Sequence, residues 1–149
     1  MRIGEIVNDF TLKDQNGNDF NLYSNLDKMI LLVFYPKDNS PVCTKQLTNY
    51  NLNKKEFEKF GIEVIGINPE SYESHSSFCN SFGSNIKFLS DDKKEIVKRF
   101  NAVNFLGLTK RKLVLIGKDK KLLFEKTTPS FVYMNSEKVL NSLKELKII

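Results

Sequence analysis

The chain has 149 residues, 40% of them hydrophobic and 28% charged, with a net charge of +5. That length and balance predict one globular domain over residues 1–149 and exclude disordered, collagen-like and disulfide-scaffold chains. The lysines are spread out, clustering only at 110-KRK-112 and at 118-KDKK-121 with Lys126, and no aromatic-interleaved basic motif accompanies them. No nucleic-acid partner is therefore expected, and with no apolar run long enough to span a bilayer, no membrane partner either.

Met1 to Glu5 has no apolar leader character, so a cytoplasmic location is expected. Phe10-Thr11-Leu12 and Asp19 to Leu22 flank 14-DQNG-17, which predicts a β-hairpin with Asn16 and Gly17 at positive φ. Met29 to Tyr35 is continuously apolar and β-prone, the pattern of a central strand buried on both faces, and far too short to span a membrane. Pro41 to Phe60 reads as a helix, with Ser40 as its N-cap and Gly61 as its stop. Ile62 to Ile67 is a second buried strand, followed by a helix from about Ser71 to Phe82. Ile86 to Leu89 reads as a short strand and Asp91 to Phe100 as a short helix. Lys112 to Ile116 is a third core strand, turned by Gly117 to Lys120 into Leu122 to Glu125. A last helix is capped by Ser136, with Val139, Leu140, Leu143 and Leu146 on its apolar face. Helices alternating with buried strands predict an α/β fold: a central mixed sheet with helices on both faces and an N-terminal β-hairpin, in the thioredoxin-like arrangement.

One of the two cysteines, Cys43, follows the carboxyl end of the first central strand, where chemistry sits in open α/β sheets. With Ser40 at the N-cap it falls on the third helical position, inside the positive field of unpaired N–H groups. Thiols so placed ionise more readily and become nucleophiles. A packed core thiol is the plain alternative, because free cysteine often behaves as a small hydrophobe.

Pro36, Ser40 and Cys43 stand in the spacing Pro-x-x-x-Ser-x-x-Cys, flanked by Phe34-Tyr35-Pro36-Lys37-Asp38 and Cys43-Thr44. This resembles the peroxiredoxin signature, and its flanks resemble the bacterioferritin-comigratory, or peroxiredoxin Q, subfamily. Gly4 to Leu22, Glu73-Ser74-His75-x-x-Phe78, Leu89-Ser90-Asp91, Arg111 and Val139 to Lys144 resemble further family segments in the same order. The resemblance implies the thioredoxin-like peroxiredoxin fold and a thiol peroxidase that needs no cofactor or metal. Peroxides, hydrogen peroxide and organic hydroperoxides alike, are its implied substrates. Cys43 would be the peroxidatic nucleophile. Ser40 would donate to the peroxide or the thiolate, Arg111 would hold the thiolate, and Pro36 would shield the sulfenic acid. The apolar Phe34, Tyr35 and Leu106 near the loop would favour bulkier peroxides.

In many members of the subfamily the resolving cysteine lies five residues after the first; here that position is Thr48. Cys79, in Glu73 to Cys79, matches the subtype whose resolving cysteine lies on the next helix. It would form an intramolecular disulfide with Cys43, recycled by a thioredoxin or similar dithiol, in a monomer. Bridging needs Cα atoms within about 7 Å, so the first turn after Ser40 is expected to unwind on oxidation. Two readings stay open beside it: a one-cysteine peroxidase resolved by an external thiol, and a non-catalytic binding or chaperone module. Val42, usually glycine, and Gln46, often glutamate, depart from the family pattern. His75, the only histidine, reads either as a base or as a hydrogen-bonding group near the domain surface.

Overall fold

A computed structural model describes residues 1–149. Its elements in chain order are β1 (Thr11–Lys13), β2 (Asp19–Asn21), a 3-10 turn (Tyr23–Asn25), β3 (Met29–Phe34), α1 (Pro41–Leu52) and α2 (Lys54–Glu58). Then come β4 (Ile62–Asn68), α3 (Tyr72–Phe82), β5 (Lys87–Ser90), α4 (Glu95–Arg99), β6 (Arg111–Ile116), β7 (Leu122–Thr128) and α5 (Ser136–Glu145). The strands form one sheet in the order β2-β1-β5-β4-β3-β6-β7. β3, β4 and β5 run parallel, while β6 and β7 on one side and β1 and β2 on the other pair antiparallel. This is the expected α/β mixed sheet. No helix is long and apolar enough to cross a membrane.

The alternation of side chains along β3 sorts the interior into two layers. Leu31 and Val33, with Tyr35 just beyond the strand, pack with α1, α2, α3 and α5. Ile30, Leu32 and Phe34 pack on the other face with α4 and with Val7, Phe10, Phe20 and Leu22 of the N-terminal segment. Both cysteines lie in the first layer. Phe34 points into the second, against Phe100, and so does not line the Cys43 loop as expected.

Several local expectations change. Only Gly17, and not Asn16, takes a positive φ in the hairpin. Asp14 Oδ1 accepts from the amides of Asn16 and Asn18 at 2.9 and 3.1 Å, folding the loop from the side chain and leaving one left-handed position. The helix expected over Pro41–Phe60 breaks at Asn53, whose side-chain amide donates to the Asn49 carbonyl at 2.8 Å. That bond competes with the helical ladder. Asn135, not Ser136, caps α5, accepting from Lys138 N at 2.9 Å; Ser136 N donates to Asn49 Oδ1 instead. Leu146 lies past the helix end and is exposed.

Gly66 in β4 is required by close approach. A Cβ there would sit 2.4 Å from Phe88 Cδ1, and the Phe88 ring is itself held by Tyr35, Phe78 and Phe82. Gly66→Ala is therefore expected to destabilise the fold by about 1–3 kcal/mol through overpacking, read as a lower urea midpoint at unchanged m-value.

Candidate active site

β3 delivers the chain to the parallel-strand carboxyl end, and Pro36 then halts sheet pairing. Asn39 takes φ +64° and Ser40 an extended conformation, turning the backbone into α1. Pro41 has no N–H and the N–H groups of Val42 and Cys43 precede the first helical bond, made by Thr44 N to the Ser40 carbonyl at 2.9 Å. Cys43 is thus on the third helical position, as expected, and its side chain is buried. Ser40 occupies the N-cap without capping: its hydroxyl donates to the Lys37 carbonyl at 3.1 Å, and no first-turn amide donates to it.

Arg111 is the first residue of β6, and the β3–β6 pairing places it beside the end of β3. It is only 3% exposed. Its Nη2 donates to Cys43 Sγ at 3.2 Å and to the Ser130 carbonyl at 2.8 Å. Nε also reaches Ser130 O, at 3.2 Å, and Nη1 donates to Gln46 Oε1 at 2.6 Å. Gln46 lies one helical turn after Cys43 on the same face of α1, and its amide donates to Tyr50 Oη at 3.3 Å. Tyr50 in turn donates to the Met134 carbonyl at 2.6 Å, and burial pushes its phenol well up. Gln46 accepts from Arg111 as a glutamate could, but adds no charge. No carboxylate pairs with the guanidinium. The structure thus brings Cys43 and Arg111 together, holds Ser40 and Pro36 half-exposed at the rim, and adds Gln46, Tyr50 and Ser130. The spacing from Cys43 to Gln46 to Tyr50 is the signal in the sequence for the first two; nothing local marks Ser130.

Cys79 lies on α3, buried in the same layer as Cys43, and both thiols are free. Burial, with the Asp38 carboxylate adding to it, pushes the Cys79 thiol up to about 12. On α3 the buried face is His75, Phe78 and Cys79, while Tyr72 is exposed and rests near Gly17.

His75 is fully buried, not near the surface. Its Nδ1 meets Asp38 Oδ2 at 2.8 Å and its Nε2 meets the Leu89 carbonyl at 3.0 Å. Both ring nitrogens therefore face oxygen atoms. Asp38 also accepts from Tyr35 Oη at 2.5 Å, Ser74 Oγ at 2.7 Å and Asn68 Nδ2 at 3.4 Å, while its own N–H donates to Glu70 Oε2 at 3.1 Å. Tyr35 is thereby committed to this network and fully buried. The network ties the loop before Cys43 to the helix that carries Cys79.

Burial raises the Asp38 carboxyl, but the hydrogen bond and charge of His75, with bonds from Tyr35 and Glu70, outweigh it and hold the group down at about 2. The native state therefore favours ionised Asp38. That contribution, about 2 kcal/mol, is full above the ordinary aspartate range. It is lost as pH falls from 3.8 to about 2. Asp38→Asn is expected to lower stability at neutral pH and to flatten this acid limb, measured by urea unfolding across pH.

Known proteins resemble this chain in sequence and in fold. The AhpC/TSA family model matches residues 3–124. Peroxiredoxin Bcp of Escherichia coli is 33% identical over 153 aligned positions, covering 97% of each chain. Peroxiredoxin Q, chloroplastic, of Triticum aestivum is 32% identical over 147 residues, covering 98% of this chain and 65% of that protein. The crystal structure of a Cys-to-Ser mutant of Xylella fastidiosa PrxQ superposes with a TM-score of 0.88 at 26% identity, covering 99% of this chain and 98% of the other. The chain belongs to the AhpC/TSA family, on its peroxiredoxin Bcp and peroxiredoxin Q branch.

Proposed function

We propose that the chain is a thiol peroxidase in which Cys43 is the nucleophile. The observation that carries this reading is the Arg111 Nη2 to Cys43 Sγ contact of 3.2 Å at the first turn of α1. Sulfur attacks one peroxide oxygen, a S–O bond forms, and the O–O bond breaks. Cys43 becomes a sulfenic acid, and the leaving oxygen departs as water or an alcohol after taking a proton. Arg111 stabilises charge on sulfur and on the departing oxygen, an electrostatic role. The amides of Val42 and Cys43 point the same way. Ser40 turns its hydroxyl from Lys37 to the peroxide, and Pro36 shields the sulfenic acid at the rim.

The sulfenic acid then condenses with the Cys79 thiol, releasing water and forming a disulfide. A thioredoxin-type dithiol supplies the two electrons that reopen it, in a cytoplasmic monomer. Cys79 is buried, on a helix clamped through His75, and held as a neutral thiol. Resolution therefore needs both the first turn of α1 and the Cys79 helix to loosen. That same burial favours a second reading, in which an external thiol resolves Cys43.

Stopped-flow reaction with hydrogen peroxide tests the nucleophile. Arg111→Ala is expected to slow the second-order rate by about 100-fold or more, and Arg111→Lys to recover only part, lacking the planar fork. Cys43→Ser abolishes the reaction. A wild-type rate no faster than that of free cysteine overturns the assignment.

Non-reducing mass spectrometry after one equivalent of peroxide tests the resolving step. Linked Cys43 and Cys79 peptides, lighter by two hydrogens, are expected. Sulfinic acid on Cys43 beside a reduced Cys79 rejects the pair in favour of the external thiol.

A further inference from the structure

Two loops leave the sheet side by side at the mouth of the Cys43 site. One precedes β6 and the other comes after β7, and these strands are paired at Arg111 and Thr128. The first loop is pinned by the Val103–Thr109 bridge and by Asn104, whose Oδ1 accepts from the amides of Leu106 and Leu108. The second is pinned by the Thr128 hydroxyl to the Val132 carbonyl, and its Ser130 carbonyl binds Arg111. Both loops are thus ordered by hydrogen bonds, yet their large apolar side chains point to solvent. Phe105 is 95% exposed, Leu106 68%, Leu108 59%, Phe131 76% and Val132 43%. Five such side chains gathered at one end of a domain mark an interaction surface.

The segments that carry these loops hold charge of one sign. Residues 39–55, 96–118 and 126–136, which build α1, β6 and both loops, contain no aspartate or glutamate. They carry Lys45, Lys110, Arg111 and Lys126, Lys37 lies in the loop before them, and Lys94 Nζ reaches the Gly107 carbonyl at 3.4 Å. Apolar tips ringed by cations are the two signals that together hold a protein on an anionic bilayer. A second copy is a poor occupant, because it brings the same cations to face these.

We propose that this collar docks the protein peripherally on anionic lipid bilayers, with Phe105, Leu106, Leu108, Phe131 and Val132 entering the interface and the surrounding lysines meeting the headgroups. This revises the expectation of no membrane partner, which rested on spanning segments; interfacial docking needs none. The docking rests on the collar alone. Its consequence rests on the peroxidase reading: the docked Cys43 site faces the lipid, so acyl hydroperoxides within the bilayer come within its reach. The same step applies, with S–O formed, O–O broken and a lipid alcohol released.

The test is co-sedimentation of the reduced protein with vesicles of equal parts phosphatidylcholine and phosphatidylglycerol, against phosphatidylcholine alone. Binding is expected to the mixed vesicles, to fall with salt, and to weaken by about tenfold or more in F105S/L108S. Unchanged hydrogen peroxide turnover shows that this variant is folded. The chain has no tryptophan, so F105W is a single reporter whose emission shifts to the blue on the mixed vesicles. In those vesicles, F105S/L108S should consume phospholipid hydroperoxide more slowly than the wild type. No binding of the wild type to the mixed vesicles, equal binding to phosphatidylcholine alone, or binding that F105S/L108S leaves intact overturns the proposal. So does a lipid-free dimer that the same variant dissociates, since a second copy then covers the collar. A wild-type protein that turns over hydrogen peroxide but does not bind the mixed vesicles rejects docking alone, whereas one that binds them without turnover rejects the peroxidase reading.

Discussion

A buried guanidinium must be compensated, because an uncompensated charge out of water is strongly destabilising. Arg111 is buried, hydrogen-bonded at each of its three side-chain nitrogens and paired with no carboxylate; its other acceptors are neutral, and the one touching group able to take a negative charge is the Cys43 sulfur. Fold and reactivity are therefore coupled at one contact. The same guanidinium joins β6, the first turns of α1 and the segment after β7, so the geometry around the sulfur is set by three parts of the chain at once. Gln46 keeps the hydrogen bond while leaving the positive charge undiminished.

A second buried network ties together the two segments that carry the cysteines. Asp38 lies between Pro36 and Ser40 in the loop leading to Cys43, and His75 lies one turn before Cys79 on α3. Their pairing holds the two cysteine-bearing segments in the reduced arrangement and leaves Cys79 protonated and buried. The network is highly satisfied, with Tyr35, Ser74, Asn68 and Glu70 all contributing. Such networks favour one conformation and are costly to half-break.

Cys43 is readable in the sequence because its position depends on a strand end and a helix start, both local features. Arg111 is marked there only by the family resemblance; the strand expected from the residues begins at Lys112, and the structure extends it back to Arg111. What is not readable depends on chain partners far apart. Asp38 and His75 are 37 residues apart, and a lone histidine on an apolar helix face carries no mark of its acceptor. Tyr50 meets Met134 across 84 residues. The break at Asn53 and the cap at Asn135 turn on which asparagine side chain wins a given carbonyl or amide, a competition that residue type alone does not decide. Phe105 and Phe131 read as ordinary hydrophobes in the sequence, and only the geometry of their loops holds them away from the core.

The two-layer sorting along β3 has a consequence for how the molecule tolerates turnover. Both cysteines and the helices that bear them belong to the layer of Leu31, Val33 and Tyr35. The opposite layer, of Ile30, Leu32 and Phe34, holds no cysteine. Under the proposed resolution by Cys79, one side of the sheet softens while the other keeps its registry, like a workbench whose vice opens without the legs moving.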